Sequence, residues 1–259
     1  METPDSNPTP DNLSLGSTSL AARLFNVFAT PGDVFEEVKS SKPSIGNWLV
    51  PVLLASLVGI ISVWVIFSLP TVQQQIRSAQ ERKVDEIARK QNWSPQQTEQ
   101  LKEQMERFTG PTIIKITGTF GAVAGSFFWL FALALGIWLL GAKIFKGQFA
   151  YMQAVEVAGL GMMITVLGGI VGLLLVVAKG SLFVSCSPAL LLNEFNPENK
   201  VHLALVALNL FTLWHLGVMS VGVSKLSGVS AAKAAGWLFG VWAVIKGAII
   251  LSGISAMGR

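Results

Sequence analysis

Five long apolar stretches, separated by shorter polar segments, constrain this chain more than any other feature of its sequence. They cover residues 48–69, 117–140, 155–178, 203–223 and 235–257. Each is long enough to cross the hydrocarbon core of a bilayer, which takes about 20 helical residues. The composition agrees, because 51% of all residues are hydrophobic and only 13% are charged. Since helices satisfy their own backbone groups in lipid, we predict an all-α integral membrane bundle of about five transmembrane helices.

The residues before the first span divide into a tail and an amphipathic segment. Residues 1–18 are polar and rich in Pro, Ser, Asn and Thr, which predicts a disordered tail. Apolar residues then recur at helical spacing through residues 19–46, and Thr30-Pro31 is typical of a helix start. We therefore predict two interfacial amphipathic helices, with their apolar faces toward lipid or toward the bundle. The residues expected to carry this element are Arg23, Phe28, Pro31, Phe35 and Lys39, with both cations near headgroups.

Residues 70–111 form the one sizeable polar segment between two spans. Sparse apolar positions predict a first helical arm from about Val72 to Gln91. Ser94 and Pro95 are typical of a helix start, so a second arm is expected to run from there to about Gly110. The mixed charges predict a solvated helical hairpin, which serves either as a spacer or as a surface for a partner.

The distribution of basic residues does not decide the orientation of the bundle. The N-terminal side carries seven Lys and Arg residues in its loops and the opposite side carries ten, of which seven belong to the hairpin. The positive-inside rule therefore gives opposite answers with and without the hairpin.

Three ionisable residues fall inside or at the entrance of the predicted spans: Glu156, His215 and Lys246. Charged groups in a membrane are costly, so each is a candidate for function. If their helices are neighbours, the three residues form an intramembrane polar cluster that could relay protons, bind an anion or recognise a lipid headgroup. The alternative is that they fix helix packing through hydrogen bonds or reach the interface by snorkelling.

Pairs of glycines four residues apart recur in the spans, and such pairs let helix backbones approach closely. The pairs are Gly121 and Gly125, Gly168 and Gly172, and Gly236 and Gly240. We expect most of them to pack spans of one chain, while homo-oligomerisation remains open.

The sequence offers no arrangement typical of an enzyme. It has two histidines and one cysteine, Cys186, without metal-ligand spacing or a phosphate-binding loop. We therefore predict a non-enzymatic protein with no catalytic residue, cofactor or metal. The formal net charge of +4 suits the headgroups of a lipid bilayer better than nucleic acid, so no nucleic-acid partner is expected.

Four segments resemble the Yip (Ypt-interacting protein) domain family, particularly its bacterial members. They are LAARLFNVFATPGDVFEEVK, the hairpin with its SPQQ sequence at residues 94–97, KIFKGQFAYMQAVEVAG and FTLWHLGVMSVGVSKLSGVSAAKAAGW. The resemblance implies five spans, a cytoplasmic N-terminus and an extracytoplasmic C-terminus. Eukaryotic members act in vesicle trafficking and bind prenylated Rab-type GTPases, whereas the bacterial members have no settled role. It further implies a multi-pass protein of the bacterial inner (plasma) membrane.

These observations leave two main functional hypotheses. The first is a membrane adaptor or organiser that engages a protein partner, still unidentified, through the interfacial element and the loops. The second is a small transporter, channel or lipid-handling protein built around Glu156, His215 and Lys246. A protein that senses membrane curvature through its interfacial helices is a third.

Overall fold

The computed structural model describes residues 18–252 as a bundle of ten α-helices, with no strand in that range. The predicted all-α fold with a multi-span membrane bundle is confirmed. The predicted disordered tail, apart from Thr18, and the end of the last predicted span lie outside the described residues. The helices are α1 Leu20–Ala29, α2 Pro31–Ser40, α3 Gly46–Ile66, α4 Pro70–Gln91, α5 Pro95–Thr109, α6 Pro111–Trp138, α7 Tyr151–Lys179, α8 Lys200–Ala207, α9 Leu210–Ser227 and α10 Ala231–Leu251.

Four helices, α3, α6, α7 and α10, are long and apolar enough to cross a membrane, and α6 continues through a π-helical segment, Leu139–Ile144. Helices α8 and α9 give a fifth span if they are taken together, although they meet at an angle of 49°. The sequence predicted one continuous span over 203–223. The break falls at Leu208 and Asn209, where the Asn209 side chain accepts hydrogen bonds from the amides of Phe211 and Thr212 and so begins a new helix.

Helix α7 lies at the centre, packed against α1, α2, α3, α6 and α9. Its residues 154–162 are all buried. Glycine allows this close packing, because a Cβ at Gly159 would lie 2.4 Å from the Cα of Trp48 in α3. Likewise, a Cβ at Gly222 of α9 would lie 2.3 Å from a methyl group of Val157. Small residues therefore set the distance between the central helix and two of its neighbours.

The glycine pairs noted in the sequence differ from these two glycines in how close they lie to other helices. Of the six, only Gly168 is close to another helix, where a Cβ would lie 2.8 Å from the Cβ of Phe211. A Cβ at any of the other five would meet nothing within 4 Å: Gly121, Gly125, Gly172, Gly236 and Gly240. The expectation that most of these pairs pack spans of one chain is wrong, since spacing alone does not say which way a helix face points.

The two ends of the bundle carry different structures. At one end, helices α1 and α2, which we call the collar, lie beside the start of α7 and the end of α9; the Gln153 side chain donates to the Lys39 carbonyl at 2.9 Å. At the other end, α4 and α5 form the predicted hairpin, with a capping box between Ser94 and Gln97. The Gln75 side chain joins the hairpin to the segment after α7 by donating to the Gly180 carbonyl at 2.8 Å. We call these the collar end and the hairpin end.

Candidate functional site

The apolar faces of both collar helices turn toward the bundle. Val27, Val34, Phe35 and Val38 are buried there, and the Phe35 ring lies against Gly222 of α9. Phe28 meets the Trp214 ring edge to face, with 5.8 Å between centroids. Of the two orientations that the sequence left open, the structure thus has the one toward the bundle.

A chain of polar side chains runs beneath the collar and links it to the spans. The Arg23 guanidinium donates to Glu37 Oε1 at 2.8 Å and to Asn47 Oδ1 at 3.3 Å. The amide of Asn47 then donates to Glu156 Oε2 at 3.0 Å. Glu156 Oε1 also accepts a hydrogen bond from the backbone amide of Ser44. We call Arg23, Glu37, Asn47 and Glu156 the polar network; it joins α1, α2, α3 and α7.

Burial makes the polar network energetically important. The exposed fractions are 8% for Arg23, 0% for Asn47 and 1% for Glu156. Charged groups taken out of water are tolerated only when hydrogen bonds and opposite charges compensate them. Asn47 lies between the guanidinium and the Glu156 carboxylate: its side-chain oxygen accepts from Arg23, and its side-chain nitrogen donates to Glu156. Losing Asn47 would leave both charged neighbours short of a partner.

The Glu37 carboxylate lies at the outer edge of the polar network. Partial burial raises its pKa, but hydrogen bonds from Thr18 and Arg23, together with the Arg23 charge, outweigh that effect and lower the pKa below its ordinary value of 4.5. Glu37 is therefore held in its charged form, in which it accepts from Arg23. A second, more exposed ion pair between Glu36 and Lys225, at 3.2 Å, ties α2 to α9.

The structure does not bring Glu156, His215 and Lys246 together. Glu156 bonds Ser44 and Asn47, whereas His215 Nδ1 lies 3.0 Å from the Gly161 carbonyl oxygen. Lys246 is exposed and forms no ion pair within residues 18–252. It also lies five residues before Leu251, the last residue of α10, which begins at Ala231, four residues earlier than predicted.

The collar residues singled out in the sequence take up three kinds of position. Phe28 and Phe35 pack against the bundle, and Pro31 begins α2. Lys39 is exposed, as expected of a residue near headgroups. Arg23 does not point out from the collar, since it is buried and paired with Glu37 and Asn47. Its partner carboxylate comes from the next helix, which the amphipathic pattern of α1 by itself does not reveal.

Sequence reasoning missed Asn47 and Glu37. A polar residue in the first turn of an apolar span is a usable indication, since it needs a hydrogen-bond partner once buried. Nothing local identifies that partner, however, because Glu156 is 109 residues further along the chain.

Within residues 18–252, no group of three or more His, Cys, Asp or Glu side chains could hold a metal ion. The geometry of the polar network is that of a structural joint.

The comparison with known families agrees with the described fold. The family model for the Yip1 domain matches residues 25–253, nearly the whole chain. The chain belongs to the Yip1 domain family. The match includes most of the collar and all five candidate spans, and so covers every member of the polar network except Arg23. No curated protein and no solved structure matches the chain. This Yip1 domain is a multi-pass integral membrane protein.

Proposed function

We propose that this Yip1 domain is a non-enzymatic membrane adaptor whose collar is a rigid platform for a protein partner. The observation that carries the proposal is the polar network, which fastens the collar to α3 and α7 through Asn47 and Glu156. A helix pair that served only to bind the bilayer surface would need an apolar face and basic residues. It would not need a buried guanidinium hydrogen-bonded to a buried amide.

A fixed collar favours binding, because a surface that is already ordered loses less conformational freedom when a partner docks. The outer side of the collar offers an aromatic anchor with polar neighbours. The Phe25 side chain is 73% exposed, and Asn26, Asp33 and Lys39 are exposed on the same helix pair. Aromatic anchors surrounded by polar residues are typical of protein interfaces.

The proposal places the collar end on the cytoplasmic side of a bacterial inner membrane. The support for this orientation is the family resemblance, since the basic residues alone do not decide it. The partner is accordingly a cytoplasmic or membrane protein. No observation in the described residues favours the transporter alternative, because Glu156 and His215 each bond to a different part of the bundle.

The test is site-specific photo-crosslinking in intact membranes, with the photoreactive residue at Phe25 or at Asp33. Both positions are exposed on the collar, and Glu99 on the exposed surface of α5 is the matched control. We expect the same protein to be captured from both collar positions and not from Glu99. Adducts that contain only lipid would contradict the adaptor function.

A second variant tests whether the fixed collar matters. Asn47→Ala removes the central amide of the polar network but leaves the outer surface of the collar unchanged. We expect the crosslinked yield from Asp33 to fall severalfold in this variant while the protein still inserts into the membrane. An unchanged yield would contradict the role of the polar network.

A further inference from the structure

An apolar groove opens toward lipid between α3, α6 and α7. Its volume is about 370 Å³, within the range of about 300–1,000 Å³ that is usual for small-ligand sites. Small side chains line it, among them Gly59 and Ser62 of α3, Gly121 and Gly125 of α6, and Thr165 of α7. The groove is open because a Cβ at Gly121 or Gly125 would meet nothing within 4 Å. It lies in the middle part of all three spans.

The groove is long, apolar and open to the hydrocarbon of the bilayer, which suits an acyl chain. The α6 residues that line it run from Gly121 to Trp129, a length of about 12 Å along the helix. A cation on the same face of α6 distinguishes a lipid from a transmembrane helix of another protein as the occupant.

A lysine stands between the groove and the hairpin end. Lys115 is in the second turn of α6 and donates to the Ser68 hydroxyl at 2.8 Å, with its ammonium 5.5 Å from the centre of the Trp64 ring. No carboxylate within residues 18–252 pairs with it. A tryptophan beside a basic residue is typical of the headgroup level of a membrane.

Lys115 and the groove also lie along one face of α6. Ala122, Ser126 and Trp129 line the groove at seven, eleven and fourteen residues after Lys115, which is the spacing of one helix face. The distance along the helix from Lys115 to Gly121 is about 9 Å, and to Gly125 about 15 Å. An anionic group at Lys115 can therefore be continuous with a hydrocarbon chain in the groove.

We propose that this groove is a binding site for one phospholipid, with an acyl chain between α3, α6 and α7 and the phosphate at Lys115. The bound lipid belongs to the leaflet at the hairpin end, on the opposite side of the membrane from the collar. Because the ammonium of Lys115 has no carboxylate partner, the site prefers an anionic headgroup over a zwitterionic one. This site is separate from the polar network and does not depend on the adaptor function.

The experiment is native mass spectrometry of the full chain in detergent, titrated with phosphatidylglycerol or with phosphatidylcholine of the same acyl chains. Gly125→Leu fills the groove from α6, and Thr165→Leu, at an exposed position, fills it from α7. Gly136→Leu is the control for added bulk, since a Cβ there also meets nothing within 4 Å. Lys143→Gln is the control for charge, because Lys143 lies 4.8 Å from the Trp138 ring at the other end of α6.

We expect one tightly bound phospholipid per chain, lost in Gly125→Leu and Thr165→Leu but kept in both controls. Lys115→Gln should weaken phosphatidylglycerol binding about fivefold and abolish its advantage over phosphatidylcholine. Equal loss of lipid in Gly125→Leu and Gly136→Leu would overturn the proposal, as would an unchanged headgroup preference in Lys115→Gln. A dimer that Gly125→Leu converts to a monomer without change in bound lipid would overturn it in favour of a second copy of the chain.

Discussion

Asn47 shows how much one side chain can matter at the residue scale. It is fully buried at the start of a span, and its amide joins the guanidinium of Arg23 to the carboxylate of Glu156. Its neighbours are charged, and a buried charge without a partner is far more costly than a buried hydrogen bond is stabilising. The polar network is thus a place where small changes have large effects.

Asn47→Ala is expected to lower the free energy of unfolding by about 3 kcal/mol, since it leaves two buried charged groups each short of a partner. Thermal or denaturant unfolding of the protein in detergent measures this loss. Asn26→Ala, at an exposed position of α1, should change stability by no more than about 0.5 kcal/mol. Equal effects of the two substitutions would show that the polar network does not hold the collar.

The lowered pKa of Glu37 predicts a dependence of stability on pH. A carboxyl whose pKa is lower in the folded state contributes stability above its ordinary pKa and loses it as the pH falls through the lowered value. The contribution of Glu37 should be complete above about pH 4.5 and should be lost as the pH falls from there through the lowered pKa. Unfolding midpoints measured between pH 3 and pH 6 should therefore fall less steeply for Glu37→Gln than for the wild type. Glu99→Gln, which removes an exposed carboxylate of the hairpin, is the control variant.

Gly159 and Gly172 are in the same helix but differ in their surroundings. Gly159→Ala would press a methyl group against the backbone of Trp48, and overpacking of this kind costs about 1–3 kcal/mol. Gly172→Ala meets no atom within 4 Å and gains helix propensity, so it should be neutral or stabilising by up to about 1 kcal/mol. The free energies of unfolding of both variants, measured in detergent, test these two expectations. A loss of stability in Gly172→Ala would instead indicate that this face is packed in the membrane.

At the scale of elements, the positions of the helices can be predicted from the local sequence, whereas the surfaces against which they pack cannot. The apolar spacing and the Thr30-Pro31 start predict the two collar helices, and Ser94 with Pro95 predicts α5. The direction in which the collar faces was open, because an amphipathic helix satisfies its apolar side equally against lipid or against protein. Its position became clear only with α7 and α9, which supply the opposing surface.

The break between α8 and α9 is an element-scale feature with a single cause that can be tested. Asn209 accepts hydrogen bonds from the amides of Phe211 and Thr212 at 2.9 and 3.2 Å, so Asn209→Ala leaves them without that partner. We expect a loss of about 1 kcal/mol in the free energy of unfolding. Asn193→Ala, in the exposed segment before α8, serves as the control and should have little effect. No difference between the two would mean that the break does not depend on this cap.

At the scale of the whole molecule, the arrangement of the two ends predicts a topology. Single cysteines in a Cys186→Ser background can be probed with a maleimide that does not cross membranes. Ser40→Cys, Gln148→Cys and Ala232→Cys, all at the collar end, should be labelled from one side. Gln97→Cys and Glu194→Cys, both at the hairpin end, should be labelled from the other. If Ala232→Cys were labelled together with Glu194→Cys, α8 and α9 would form a re-entrant loop and not a span.

The class of this protein could be read from its sequence because length, apolar content and helix caps are local properties. A stretch of about 20 apolar residues predicts a membrane-spanning helix without knowledge of its neighbours, although a local cap such as Asn209 can still break it. The partners of buried polar groups cannot be predicted in this way, since Asn47 and Glu156 are 109 residues apart and meet only where α3 packs on α7. The same holds for the glycines, where packing and not spacing distinguishes Gly159, pressed against α3, from Gly125, open to the groove. Thus local chemistry produces the helices and their approximate bounds, whereas their packing produces the polar network and the lipid-facing groove.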